Sequence, residues 1–172
     1  AVSNETLELI AKHGLKWLVT DETILVKSLA VSKTFDRELS GCLPAEKSCI
    51  PYKFKSKKGE TSIFFRNQSL SNLISFVYSS WDEEKAADDF YRRLVALNNS
   101  LERSRSPYII SIAMDGENAW EYYPKGGEVF LLSLYQKIVN SPQFKPMTFS
   151  EFLASANPKE LSLLTYISPG SW

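Results

Sequence analysis

A short stretch in the second half of the chain combines carboxylates, an amide and aromatic rings. It follows the apolar residues 109–114 and contains Asp115, Glu117, Asn118, Trp120 and Tyr122. Carboxylates and amides form hydrogen bonds with hydroxyl groups, and tryptophan and tyrosine rings provide flat apolar faces. A sugar presents both kinds of surface, because hydroxyl groups surround its ring and C–H groups cover the ring faces. The stretch therefore favours a carbohydrate-binding site.

A pair of carboxylates beside a sugar can also break a glycosidic bond. One carboxylic acid protonates the leaving oxygen, and a second carboxylate acts as nucleophile or base. Asp115 ends an apolar segment and is followed by Trp120 and Tyr122, so it is the candidate acid. Simpler interpretations stay open, because Asp115-Gly116 is a common turn dipeptide and Trp120 could be a core residue. Trp81, directly before a helix cap, is interpreted as a packing residue at the helix start and not as a sugar platform.

Three strand-like apolar segments lead into polar residues. The segments are LKWLVT, TSIFFR and YIISIAM. They run into Asp21 and Glu22, into Arg66 and Gln68, and into Asp115. In parallel α/β folds, ligands bind at the carboxyl ends of the strands, so we expect the three polar clusters to meet at one mouth. Asp21 is equally well placed as the cap of the following helix.

Helical segments alternate with these strands. Apolar periodicity and capping residues predict helices over 4–12, 21–29, 69–78, 81–102, 127–140 and 148–156. Residues 33–60 are predicted to be irregular, because prolines and a glycine interrupt any period, and 161–167 could form a last strand or a loop. The alternation predicts an α/β fold with a parallel sheet covered by helices.

The composition excludes several function classes. Twenty acidic and twenty basic residues balance, so we expect neither a nucleic-acid nor a membrane partner. No phosphate-binding or dinucleotide-binding glycine loop and no signal peptide is visible, and we expect cytoplasmic localisation. With His13 as the sole histidine beside Cys42 and Cys49, we expect no metal and no cofactor. Free thiols are favoured for the two cysteines, and a disulfide stays open.

Three ordered blocks resemble the catalytic domain of glycoside hydrolase family 57. They read GLKWLVTDETIL, SIFFRNQSLSNLISFVYSSWDEEKAADDF and DGENAWEYYPKGGEVFLLSLYQKI. The resemblance spans most of the chain and is weakest over 33–60. Members of this family act on α-glucans as α-amylases, amylopullulanases, glucanotransferases and branching enzymes. The resemblance therefore implies an α-glucan oligo- or polysaccharide as the partner.

The resemblance also implies a fold and residue roles. The fold would be part of a seven-stranded, TIM-like (β/α) barrel with mostly parallel strands covered by helices, and the mechanism would be retaining. Asp115 would be the general acid/base. The expected substrate-binding residues are Asp21, Glu22, Arg66, Gln68, Glu117, Asn118, Trp120 and Tyr122.

The nucleophile of the family is a Glu in a run like Trp-Pro-Ser-Glu-Gly. By the resemblance, this run would lie immediately before Ala1, and relatives continue beyond the terminal PGSW. We therefore expect residues 1–172 to be a single partial catalytic domain, truncated at both ends and inactive alone. Its first and last strands would be exposed sheet edges, which we expect to form a homodimer or to be covered by a terminal segment.

One group of residues departs from the family pattern. Where relatives tend to have Arg-Asp-His and a later Asp, this chain has Arg66, Asn67, Gln68 and Asn72. Each change replaces an ionisable group by an amide. These amides favour an alternative function, a non-catalytic glucan-binding or regulatory protein on a decayed glycosidase fold.

Overall fold

The computed structural model describes residues 1–31, 43–102, 107–116, 120–156 and 161–171. The chain divides into two compact units. The sheet unit comprises Ala1–Asn67, Ser104–Ser111 and Thr148–Trp172, and the helical unit comprises Gln68–Arg103 and Ile112–Met147. The prediction of a single partial catalytic domain over 1–172 stays a prediction.

The predicted helices occur in the predicted order, although the one over 69–78 is α-helical only in part, and the short helix Ala45–Ser48 was not predicted. Among the strands, Tyr52–Ser56 was not predicted and the predicted strand YIISIAM is absent from the described sheet. In chain order the helices are α1 Asn4–Lys12, α2 Glu22–Val31, α3 Ala45–Ser48, α4 Gln68–Asn72, α5 Glu83–Leu101, α6 Glu128–Val139 and α7 Phe149–Ser155. The strands are β1 Trp17–Asp21, β2 Tyr52–Ser56, β3 Gly59–Arg66 and β4 Ser162–Leu163. Within these described ranges, no helix is long and apolar enough to cross a membrane.

The sheet is mixed and not purely parallel. Its strand order is β1-β3-β2-β4. The pairs β1–β3 and β2–β4 are parallel, whereas β2 and β3 form an antiparallel hairpin. The prediction that 33–60 is irregular was therefore wrong for 45–48, which form α3, and for 52–56 and 59–60, which form strands. In β2, Tyr52 and Phe54 are buried and alternate with lysines, which is the period-two pattern of a strand with one buried face.

The predicted third strand, YIISIAM, is not part of the sheet. Its backbone bonds go to separate places: the Ile109 N–H donates to the Cys49 carbonyl at 2.7 Å, and the Ser111 carbonyl accepts from the Asn67 N–H at 2.8 Å. The Ala113 N–H donates to the Ser71 hydroxyl at 3.3 Å. These bonds go to different segments and do not form the regular ladder that defines a strand. The apolar composition reflects partial burial and not strand pairing.

The core of the sheet unit lies on both faces of β3. Ile63 and Phe65 belong to a buried cluster with Ile24 and Leu25 of α2. On the opposite face, Phe64 packs against Phe149 of α7 at a ring distance of 4.4 Å. Burial on both faces explains the continuous apolar run of this strand. Among the described strands, β1 and β4 lie at the two ends of the sheet, and their predicted association with another chain stays a prediction.

Helix capping in both units agrees with the sequence. Asp82 accepts a hydrogen bond from the Lys85 N–H at 3.0 Å at the start of α5. Thr148 and Glu151 form a reciprocal capping box at the start of α7. Local side-chain chemistry decides these boundaries, which is why they were predictable.

The predicted helix over 69–78 is only partly α-helical. After α4, residues Leu73–Val77 form a π-helical turn and Tyr78–Ser80 a 3₁₀ turn. The Tyr123 hydroxyl donates to the Ile74 carbonyl at 2.6 Å, and side-chain bonds of this kind accompany breaks in a regular helix. Beyond the turn, Tyr78 is fully buried. It packs against Phe90 and Phe130 in the core between α5 and α6.

The cysteine prediction is testable at one of the two residues. Cys49 is a buried free thiol. Burial, more than any neighbouring charge, raises its pKa to about 11, so the thiol is protonated at neutral pH and poorly nucleophilic. Cys42 lies outside the described residues.

Candidate functional site

The polar residues at the ends of β1 and β3 form one buried cluster in the sheet unit. Parallel pairing places Asp21 opposite Arg66, and these residues are 0% and 5% exposed. The Arg66 Nε–H donates to Asp21 Oδ2 at 2.7 Å. Asp21 Oδ1 accepts from the Thr23 N–H at 2.9 Å and from the Thr23 hydroxyl at 2.6 Å. Asp21 is therefore both the cap of α2 and the partner of Arg66.

The Asp21 carboxylate carries its charge at neutral pH. Burial is the largest single influence on its pKa and acts to raise it, but the hydrogen bonds from Thr23 and Arg66 together outweigh burial. The pKa of Asp21 consequently lies below its ordinary value. A carboxylate that is buried, ionised and hydrogen-bonded through both oxygens is suited to hold Arg66 in place and not to donate a proton. The sequence pattern Asp-x-Thr before a helix is the signal that identifies Thr23 as a capping partner.

Two further predicted binding residues begin helices. Glu22 is the first residue of α2 in the sheet unit, and Gln68 is the first residue of α4 in the helical unit. Both are half-buried. Asp21 and Arg66 end neighbouring parallel strands, and the meeting of all three predicted polar clusters at one mouth stays a prediction. Roles of Glu22 and Gln68 in substrate binding stay predictions.

Asp115 lies in the helical unit, at the end of the segment that was predicted as the third strand. Its side chain is half-buried and the next residue, Gly116, is exposed. Two residues before Asp115, the Ala113 N–H is held by the hydroxyl of Ser71, which is fully buried on α4. Ser71 thus fixes the backbone two residues before Asp115; it was not identified from the sequence, since a serine inside a helical pattern carries no distinctive signal. Glu117 and Asn118 lie outside the described residues.

Trp120 and Tyr122 have different surroundings within the helical unit. Trp120 is half-buried and packs edge-to-face against Tyr123 at a ring distance of 5.3 Å. Its ring also lies 6.2 Å from Phe130. Tyr122 is 76% exposed. Trp120 is therefore anchored in the aromatic core while part of its surface stays accessible, and the Tyr122 ring projects into solvent.

A glycine supports the Trp120 ring. Lys125, Gly126 and Gly127 all have left-handed backbone conformations, with φ values of 47°, 66° and 77°. A Cβ atom on Gly127 would lie 2.8 Å from Cε3 of Trp120. The left-handed turn therefore allows the backbone to approach the indole more closely than any side chain would permit.

Replacing Gly127 by alanine should displace Trp120. Gly126→Ala is the matched control, because Gly126 has a similar φ but a Cβ atom there would meet nothing within 4 Å. Both variants should lose roughly 1–2 kcal/mol from the strained backbone, and Gly127→Ala should lose about 1–3 kcal/mol more from overpacking. Urea unfolding followed by tryptophan fluorescence measures the free energy of unfolding of each variant, and the emission of the folded state reports a displaced indole. Equal stability and unchanged Trp120 emission in the two variants would contradict this role of Gly127.

The described residues contain no group of three or more His, Cys, Asp or Glu side chains that could hold a metal ion. The predicted site residues that the structure describes offer carboxylates, an amide, a guanidinium and aromatic rings: Asp21, Glu22, Arg66, Gln68, Asp115, Trp120 and Tyr122.

Comparison with known proteins identifies the family. The profile of glycosyl hydrolase family 57 matches residues 1–167. The 4-α-glucanotransferase from Thermococcus litoralis matches in structure with a TM-score of 0.61, at 19% sequence identity, over 93% of this chain and 22% of that enzyme. At this identity the structural match shows a shared fold, and the chain spans less than a quarter of that enzyme's length. A search of curated proteins found no match. Because the family profile covers nearly all of its residues, this chain belongs to glycosyl hydrolase family 57.

Proposed function

We propose that the chain is part of a retaining glycoside hydrolase or transglycosylase that acts on α-glucans. The observation that carries the proposal is the family match over residues 1–167. The enzyme with which the chain shares its fold is a 4-α-glucanotransferase, which supports α-glucan as the substrate class. The four-stranded, mostly parallel sheet with its covering helices is consistent with part of a (β/α) barrel. We propose that the whole barrel has seven strands.

Asp115 is proposed as the general acid/base. In the first step the glycosidic C–O bond breaks, the sugar carbon bonds to a carboxylate nucleophile, and the proton of Asp115 passes to the leaving oxygen. In the second step water or a sugar hydroxyl attacks that carbon, the bond between the carbon and the nucleophile breaks and releases the carboxylate, and the proton of the attacking group passes to Asp115. Water gives hydrolysis, and a sugar hydroxyl gives transfer.

The nucleophile is proposed to be a residue other than Asp21. Asp21 is 0% exposed, and both of its oxygens already accept hydrogen bonds, so its carboxylate cannot reach a sugar carbon. By the family resemblance the nucleophile is a Glu that residues 1–172 do not contain. We therefore expect residues 1–172 alone to bind substrate without turnover. Asp21 would act indirectly, by holding Arg66 at the ends of β1 and β3.

The test is the configuration of the first product released by the complete gene product that contains this chain. We expect it to convert maltoheptaose with retention of the α configuration. Nuclear magnetic resonance of the anomeric proton measures this configuration during the reaction. Longer and shorter products together indicate transfer. A β-linked cello-oligosaccharide of matched length is the control and should not react. A first product of inverted configuration, or reaction of the β-linked substrate alone, would contradict the proposal.

A second candidate is a non-catalytic glucan-binding or regulatory protein. The amides of Asn67, Gln68 and Asn72 favour it, because the family resemblance leads us to expect ionisable groups there. It predicts saturable binding of maltoheptaose without turnover by the complete gene product. Trp120→Ala or Tyr122→Ala should weaken binding under both candidates, so turnover is the measurement that separates them.

A further inference from the structure

A groove in the helical unit lies along the first turns of α5. It has a volume of about 420 Å³ and is lined by Trp81, Lys85, Asp88 and Arg92. We call it the α5 groove. None of its lining residues belongs to the Asp115 stretch. Lys85, Asp88 and Arg92 are three, four and seven residues apart and therefore share one face of α5.

Trp81 forms the aromatic wall of the α5 groove. The Trp81 residue is 43% exposed. A residue that only packed against the helix start would be more buried. The Trp81 ring packs edge-to-face on Tyr78 at 5.3 Å. Tyr78 is fully buried and its hydroxyl donates to Asp89 at 2.7 Å, and Asp89 also accepts from the Arg93 Nε–H at 2.7 Å. The Trp81 ring thus packs on a tyrosine that is itself fixed before any ligand binds, which reduces the entropy lost on binding.

The charged residues of the α5 groove offer both donors and acceptors. Asp88 is paired with Lys137, and the Arg92 guanidinium donates to Asp89 Oδ1 at 3.3 Å. Lys85 is exposed and has no side-chain partner in the part of the chain that the structure describes. Carboxylate oxygens accept hydrogen bonds, whereas ammonium and guanidinium groups donate them. A ligand that both donates and accepts, as a sugar hydroxyl does, can use all of them.

The mixture of groups selects among ligand classes. The charges of Lys85, Arg92 and Lys137 are largely cancelled by those of Asp88 and Asp89, so a phosphate ligand would gain little net attraction. A purely apolar ligand would remove these charges from water without replacing their hydrogen bonds. A neutral ligand with hydroxyl edges and a C–H face satisfies the charges and covers the indole. The helix rise places Lys85 and Arg92 roughly 10 Å apart along the axis of α5, which suits a short oligosaccharide.

We propose that the α5 groove is a second, non-catalytic α-glucan-binding site. The choice of α-glucan rests on the proposed function, whereas the choice of a neutral sugar rests on the groove itself. An open groove can hold a continuous polymer chain, since neither end of the ligand is enclosed. Binding one part of a glucan here would raise the effective concentration of the rest of that chain near the protein.

The tryptophan side chains provide a direct test. The chain has four tryptophans, so isotope-labelled residues 1–172 give a small set of indole N–H signals in a nuclear magnetic resonance spectrum. We expect the Trp81 signal, assigned by its loss in Trp81→Phe, to shift saturably when maltoheptaose is added. Trp17 is the internal reference, because its indole N–H donates to the Ser150 hydroxyl at 2.9 Å. Its signal should not move.

Variants and competing ligands define what overturns the proposal. Lys85→Ala combined with Arg92→Ala should weaken the binding seen at Trp81 roughly tenfold. Phe76→Ala, an exposed aromatic of the same unit at 73% exposure, should not change it. An unmoved Trp81 signal, an unchanged affinity in the double variant, or an equal shift with inorganic phosphate or a cello-oligosaccharide would each overturn the proposal.

The same spectra separate this proposal from the proposed function. Trp120 reports on the Asp115 stretch and Trp81 reports on the α5 groove. A saturable Trp81 shift together with no turnover by the complete gene product would support the groove and reject the catalytic proposal. Turnover with a shift at Trp120 alone would reject the groove and leave the catalytic proposal intact.

Discussion

Replacing Asp115 by asparagine is expected to lower the turnover of maltoheptaose by the complete gene product roughly 10²- to 10⁴-fold. An amide has nearly the shape of a carboxyl group but cannot transfer a proton to the leaving oxygen. Substrate affinity should therefore change much less than turnover. Steady-state kinetics of the wild type and the variant measure both quantities. Asp82→Asn is the matched control, because Asp82 is an exposed helix cap and asparagine caps equally well.

The leaving group gives this prediction its specificity. In an aryl maltoside with an acidic phenol, the phenolate leaves without being protonated. The first step on this substrate therefore does not need the acid. The loss of kcat/KM, which reports the steps up to release of the phenol, should be much smaller in Asp115→Asn for the aryl maltoside than for maltoheptaose, whereas turnover at saturation stays low because the second step still needs Asp115 as base. An equal loss of kcat/KM on both substrates would indicate a structural effect, and full activity of the variant on maltoheptaose would reject Asp115 as the acid.

Replacing Asp21 by asparagine is expected to destabilise the folded state by about 3–5 kcal/mol. The change removes the negative charge with which the buried guanidinium of Arg66 pairs at the ends of β1 and β3. Urea unfolding of residues 1–172 gives the free energy. Asp88→Asn is the matched control, since it removes an exposed ion pair with Lys137 and should change stability by less than about 1 kcal/mol.

A double-mutant cycle with Arg66→Met tests whether the effect arises from this ion pair. The buried charge is absent when both residues are replaced, so the double variant should be more stable than the sum of the single losses predicts. Additive losses in the cycle would show that Asp21 stabilises the fold through the cap of α2 alone.

The pH dependence of stability follows from the lowered pKa of Asp21. Because the pKa is lower in the folded state, the stabilisation is fully present above the pKa of the unfolded chain, about 3.9. It declines as the pH falls through the folded-state pKa. The difference in unfolding free energy between the wild type and Asp21→Asn should therefore be constant near neutral pH and shrink in acid. A difference that grows on acidification would contradict this assignment.

Features decided by neighbouring residues were predictable from the sequence. The helices α1, α5 and α7 begin where Ser3, Asp82 and Thr148 cap them, because a cap is a bond between groups two or three residues apart. The meeting of Asp21 and Arg66 also followed from the pattern, since parallel strands bring their carboxyl ends to one edge. The Asp21 carboxylate caps α2 with one oxygen and bonds to Arg66 with the other, and its role in substrate binding stays a prediction.

Features that depend on distant partners were not predictable. The segment YIISIAM has the composition of a buried strand, but its backbone groups bond to Cys49, Asn67 and Ser71 instead of to one neighbouring strand. The strand β2 was hidden because its lysines and flanking breaks resemble a loop, and only the partner β3 completes its hydrogen bonds. The π-helical turn after α4 accompanies a bond from Tyr123, which lies 49 residues away in sequence.

The sequence by itself determined the family, the capped starts of α1, α5 and α7, and the residue types available for chemistry, because motifs, periodicity and caps are encoded over short distances. Only the tertiary structure decided that Asp21 is closed off by Arg66 and Thr23, that Gly127 lies against Trp120, and that Trp81 borders a groove. Burial and contact arise from chain segments that meet only when the protein folds, and the same side chain can be a core residue or a binding surface depending on what meets it.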